Sequence, residues 1–153
     1  MGIFDFIFKK SVKINDSFFG EMLFFEFKKN PEKNYFECRK YFKPTDKIIE
    51  IGIEGSSTGP TEFQKEFFRQ VESNYENIVS SIEPMIENEF QNWKENFKID
   101  DFKNEFKAVY IYLYRWEKNP KIWEIMFETE HDLNHTITIK LNDLKATEIL
   151  VDG

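Results

Sequence analysis

The sequence predicts an α+β fold: an antiparallel sheet of about seven strands, ordered three strands, helix, four strands, with one long, kinked or split helix packed across it. Three observations carry this. Apolar residues alternate with period two over residues 47–54 and again from residue 106 onward. Between these stretches they step by threes and fours from Phe63 to Phe97, the period of one helix face. The chain has 153 residues, of which 41% are hydrophobic and 32% charged, enough apolar content and length for one packed core. With no linker and no internal repeat, residues 1–153 read as a single domain, with 1–15 as a loosely attached segment at its start.

The opening residues place an apolar stub (Phe4, Ile7, Phe8) before Lys9, Lys10 and Lys13, the reverse of a secretory signal, and Asp5 breaks the run. Strands are expected over 17–29, with Gly20 at a bulge, and over 34–42, where Phe36, Cys38, Lys40 and Phe42 share one face. In 47–54, Ile49, Ile51 and Ile53 point inward and Glu50, Gly52 and Glu54 outward. Short turns between the three make a meander. Gly55–Pro60 breaks the strand period, and Thr61-Glu-Phe-Gln64 fits a capping box that starts a helix. Pro84 should kink or split that helix, with Ser80 or Ser81 capping the second piece. Four more strands come after it, over 106–114, 121–130, 135–141 and 146–151, with Val109, Ile111 and Leu113 facing the helix.

Composition excludes several function classes. A net charge of −7 argues against a general nucleic-acid binder, which works by neutralising phosphates. No apolar run approaches the roughly 20 residues of a membrane-spanning helix. The single cysteine, Cys38, excludes an internal disulfide framework and a four-cysteine zinc site. Together these point to a cytoplasmic protein. The 18 phenylalanines accompany a Lys-to-Arg ratio of 18 to 3, a pattern of A/T-rich codons, so they describe a core built from Phe and Ile rather than an aromatic site.

Acidity is concentrated in the middle third. Residues 61–105 hold eleven acidic and five basic side chains, against nine and ten in 1–60 and eight and six in 106–153. Glu72, Glu76 and Glu83 lie on the acidic face of the expected helix and are candidates for contact with a basic partner. Tyr110, Tyr112 and Tyr114 form a row on the sheet face away from the helix, a second candidate binding surface. His131 and His135, the only histidines, stand among Glu128, Glu130 and Asp132; a tight turn at 132–134 would face the two imidazoles across the strands, close enough to share a divalent metal. Glu37, Glu50 and Glu54, and Glu124, Glu128 and Glu130, share strand parities that could pair carboxylates. Cys38 reads as a buried, inert thiol, and Gly55–Pro60 lacks the Lys-Ser/Thr of a phosphate-binding loop.

Several short motifs add a resemblance. These are Phe19-Gly20, Gly-Pro-Thr-Glu-Phe-Gln at 59–64, Ile-Glu-Pro-Met-Ile-Glu at 82–87, Glu-His-Asp-x-x-His at 130–135 and a final Val-Asp-Gly. Over most of residues 16–153 the chain resembles small bacterial domains of unknown function, some of which sit beside polymorphic toxins as presumed immunity proteins. That resemblance implies protein binding and carries over no catalytic residues. The expectation is a non-enzymatic protein-interaction domain of the immunity type, binding a basic protein partner and needing no cofactor. The alternative is a small-ligand or divalent-metal-binding protein using the 128–135 hairpin.

Overall fold

The computed structural model describes residues 10–115 and 121–153. They form an eight-stranded sheet in strict sequence order: β1 (Lys10–Asp16), β2 (Gly20–Glu26), β3 (Tyr35–Phe42), β4 (Lys47–Glu54), β5 (Phe106–Leu113), β6 (Ile122–Thr129), β7 (Asp132–Asn142) and β8 (Lys145–Asp152). Helices α1 (Glu62–Ser73) and α2 (Tyr75–Phe90) and the one-turn α3 (Phe102–Glu105) all lie between β4 and β5.

Three expectations about the strands need correction. The sheet has eight strands, because Lys10–Asp16 pairs in register with β2, so from Lys10 onward the opening segment belongs to the sheet; Phe4, Ile7 and Phe8 lie outside the described residues. The sheet is also not wholly antiparallel. Residues 55–105 carry the chain back to its starting end, so β5 enters beside β4 in the same direction and the pair is parallel at the centre of the sheet. Gly20 is not a bulge. Its φ of 79° closes the β1–β2 turn, opposite Asp16.

The helix is split, but at Asn74 and not at Pro84. Asn74 has left the helical region (φ −112°, ψ 17°), and its side-chain amide donates to the Gln70 carbonyl, satisfying the end of α1. Pro84 sits inside an unbroken α2. It and Ser80 are both exposed, so the carbonyl that loses its helical partner faces water and costs little. Neither serine caps a helix. Ser80 Oγ donates to the Glu76 carbonyl, while Ser81 Oγ accepts from the Ala146 N–H at 2.8 Å, tying α2 to β8 where the β7–β8 register shifts. Ser81→Ala should lower stability by about 1 kcal/mol by orphaning that buried N–H; an unchanged urea midpoint would refute it.

Both long helices pack on one face of the sheet. Phe67 meets Trp123 at 5.9 Å between centroids, Phe68 meets Phe42 at 6.1 Å and Phe90 meets Phe106 at 5.8 Å, all edge to face. Ile49, Ile51 and Ile53 point into this layer, as do Ile125, Phe127, Ile137 and Ile139. No helix among the described residues is long and apolar enough to cross a membrane. The other sheet face carries no helix from the described part of the chain.

Candidate functional site

The open face is organised by cross-strand register. One row runs from Leu23 through Glu37, Gly52, Tyr112 and Glu124 to Lys140. The neighbouring row runs Arg39, Glu50, Tyr110, Met126, Thr138. A third begins Phe25, Tyr35, Glu54. The three predicted tyrosines do lie on this face, but the residue opposite them in parity is not the expected one. Val109 is skipped by a bulge between Ala108 and Tyr110, so Ala108 fills the inward position assigned to it.

Gly52 shapes the site. A side-chain carbon at this position would stand 2.2 Å from the Tyr110 hydroxyl and 2.6 Å from the Tyr112 ring, so both tyrosines lean over the gap between Glu37 and Tyr112. The aromatic strip is continuous: Phe25 stacks on Tyr35 at 5.1 Å, and Tyr35 reaches Tyr112 at 6.4 Å. Tyr112 in turn stacks with Tyr110 and meets Tyr114 edge-on at 5.0 Å. Between the tyrosines and Glu124, Met126 and Thr138 lies an open concavity of about 360 Å³.

Two carboxylates of this face are hydrogen-bonded by uncharged groups, and the Arg115 charge also acts on one of them, Glu54. The Tyr114 hydroxyl donates to Glu124, and Glu54 accepts from the Tyr112 hydroxyl and the Arg115 N–H. Partial burial still leaves the Glu54 carboxyl above its ordinary value, and the nearby Glu124 charge adds to that. Burial pushes the hydroxyls of all three tyrosines up; Glu37, Glu50 and Glu124 raise Tyr110 further, Glu54 raises Tyr112, and Glu124 raises Tyr114. Tyr75 is also raised by burial and Tyr41 by its bond to Asp46. Ultraviolet titration should therefore find most of the six tyrosines ionising well above the free phenol's pKa of about 10; a simple titration at that value would contradict this geometry.

Gln64 anchors one end of the site. The sequence identifies it only as half of a capping box, which is present: Gln64 N–H donates to Thr61 Oγ1 and Thr61 N–H to Gln64 Oε1. Its buried amide also donates to the carbonyls of Glu54 at 2.8 Å and Tyr114 at 3.2 Å, joining the ends of the two parallel strands. No local pattern signals those long-range bonds.

The predicted acidic residues are elsewhere. Glu72, Glu76 and Glu83 belong to the helix layer, on the opposite side of the molecule from the tyrosines, so one flat partner surface cannot touch both. Glu72 accepts from the Lys43 N–H, Glu62 pairs with Lys65 and Glu66 with Arg69. Burial, Glu87 and Glu105 raise the Glu83 carboxyl.

The histidines also separate. The β6–β7 turn falls at Glu130–His131 rather than 132–134, and Leu133–His135 lie in an irregular start of β7, so the imidazoles are not mirrored across the strands. His131 Nε2 lies 2.7 Å from Glu105 Oε1, its ring against Phe97; His135 Nδ1 lies 2.7 Å from Asp132. Among the described residues no group of three or more ligating side chains gathers as a metal site would. Cys38 is buried as expected, its thiol pushed up to about 12 by burial.

These pairs give the fold an acid limit. Burial alone would raise Glu105, but the N–H of Asp101, the His131 ring and the N–H of Asp100 hold it below 4.5; His135 holds Asp132 below 3.8. A carboxyl depressed in the folded state stabilises it above the unfolded pKa and loses that contribution as pH falls through the folded value. Glu54 and Glu83, both raised, act in the opposite sense. The urea midpoint should hold near neutrality and fall below about pH 4; a midpoint that rises on acidification would overturn this balance.

The chain matches no protein-family model, no curated protein and no solved structure.

Proposed function

We propose that the protein is a non-enzymatic interaction domain that binds a basic protein partner through the open sheet face. The observation that carries this reading is the aromatic strip around Gly52, set among Glu37, Glu50, Glu54 and Glu124 on a face that no helix of the described chain covers. Tyrosine supplies contact area at low entropic cost, and carboxylates select and steer a cationic partner. The helix face supports this role less well, because most of its carboxylates are already engaged within the chain. The resemblance to presumed immunity proteins would make the partner a toxin whose active site this face covers.

The test compares two variants as bait for partners from lysate of the source cell. Glu50→Lys with Glu124→Lys alters the sheet face; Glu72→Lys, Glu76→Lys and Glu83→Lys alters the helix face. Loss of a salt-sensitive, stoichiometric partner with the first pair alone supports the proposal. Loss with the triple variant alone transfers binding to the helices and refutes it.

A further inference from the structure

We infer that the concavity between Tyr110, Tyr112, Tyr114, Glu124, Met126 and Thr138 receives an arginine side chain of the partner, an inference that rests on the sheet-face reading above. Its wall is aromatic: Tyr110 and Tyr112 lie nearly parallel, 17° between planes and 6.4 Å between centroids, and Tyr114 closes against Tyr112 at 81°. A guanidinium stacks on such faces and is less strongly hydrated than an ammonium, so it loses less on leaving water.

The charged part of the wall is the carboxylate of Glu124. Glu124 is bonded by the neutral Tyr114 hydroxyl, although Lys140 stands directly across from it in register. Glu54 stands behind Tyr112 rather than in the wall, bonded by the Tyr112 hydroxyl and the Arg115 backbone N–H and already facing the Arg115 charge. A carboxylate presents two oxygens, and the fork of a guanidinium can engage both at once, which a point-charge ammonium cannot. Met126 supplies a pliable apolar surface for the methylene stem, and Thr138 is buried beside it. An anionic group would be repelled by Glu124, and a neutral one would gain nothing from that charge. The size is adequate: about 360 Å³ exceeds what one side chain fills and leaves room for the backbone that carries it.

The probe is the peptide Gly-Arg-Gly-Arg-Gly, with counterparts carrying lysine or uncharged citrulline in place of arginine. Each is titrated against the intact chain with isotope-labelled tyrosine rings, monitored by NMR. The arginine peptide should give saturable shifts at Tyr110, Tyr112 and Tyr114, with affinity roughly tenfold above the lysine peptide's. Citrulline should shift nothing, and Glu124→Gln should weaken the arginine response while leaving the far-ultraviolet circular dichroism unchanged. If lysine binds as well as arginine at these rings, the sheet-face reading survives and the arginine assignment falls. If citrulline matches arginine, charge is not recognised and the assignment falls. If arginine shifts Tyr75 of the helix layer instead, or no saturable shift appears at millimolar peptide, the assignment falls in wild-type protein, and the paired bait variants then decide the reading beneath it.

Discussion

Asp16→Ala is expected to lower the stability of the folded chain by about 3 kcal/mol, the low end of the cost of stranding one member of a buried ion pair. Asp16 ends β1 and does two things at once. One carboxyl oxygen accepts the N–H groups of Phe18 and Phe19, both at 2.8 Å, which shapes the turn into β2. The other lies 3.1 Å from the ammonium of Lys65, whose side chain is only 9% exposed. Alanine would leave two N–H groups without acceptors and Lys65 with only the exposed Glu62, 3.0 Å away. It would also loosen Phe18, which packs on Phe68 and lies 4.4 Å from both Lys40 Nζ and Arg69 Cζ.

Urea unfolding measures the loss, and Asp16→Asn separates shape from charge. Burial alone would raise the Asp16 carboxyl, but the two N–H groups and Lys65 hold it below 3.8. Its contribution is therefore complete above that value and lost as pH falls through the folded one. The wild-type stability should decline more steeply than that of Asp16→Asn below about pH 4. A loss under about 1 kcal/mol for Asp16→Ala, or parallel acid profiles, would show the pair to be idle.

Gly52→Val is expected to cost about 2 kcal/mol, within the range for overfilling a packed position, and to abolish partner binding. Valine suits a strand better than glycine does, so local propensity predicts a gain. The packing predicts a loss. The new carbon would meet the Tyr112 ring, which packs edge-on against Tyr114, and the hydroxyl of Tyr110. The hydroxyl end can swing away, but the ring of Tyr112 can move only by giving up Tyr35 and its bond to Glu54. Calorimetry and the same bait assay check the two halves separately. A valine variant that melts later and keeps its partner would remove Gly52 from any account of the site.

The parts of this protein that its sequence makes legible are those decided by local period. Ile49, Ile51 and Ile53 alternate inward as read, and so do Trp123, Ile125 and Phe127. The capping box at Thr61 marks the start of α1 as expected. The split at Asn74 was hidden because a single side chain closing on Gln70 leaves the apolar stripe unbroken, while Pro84, a conspicuous breaker, is harmless where its orphaned carbonyl meets water. The stripe continues in sequence to Phe97, yet α2 ends at Phe90, and Phe97 reaches the core by folding back on it at 4.9 Å. The strand Lys10–Asp16 carries polar residues along an edge, and only its pairing with β2 reveals it.

Local sequence is enough for the α+β class, most of the strands, the helical crossover and the outward row of tyrosines, because each depends on which side chains must leave water along a short repeat. Which residues those tyrosines meet is a matter of tertiary packing alone. The parallel pairing of β4 with β5 brings Gly52 and Glu54 beside residues some sixty positions away, and the register of β6 brings Glu124 to them. It also separates His131 from His135 and sets Glu72, Glu76 and Glu83 on the far side of the molecule from the tyrosines. A long-range register depends on how whole faces fit together, and no local spacing in the chain encodes that fit.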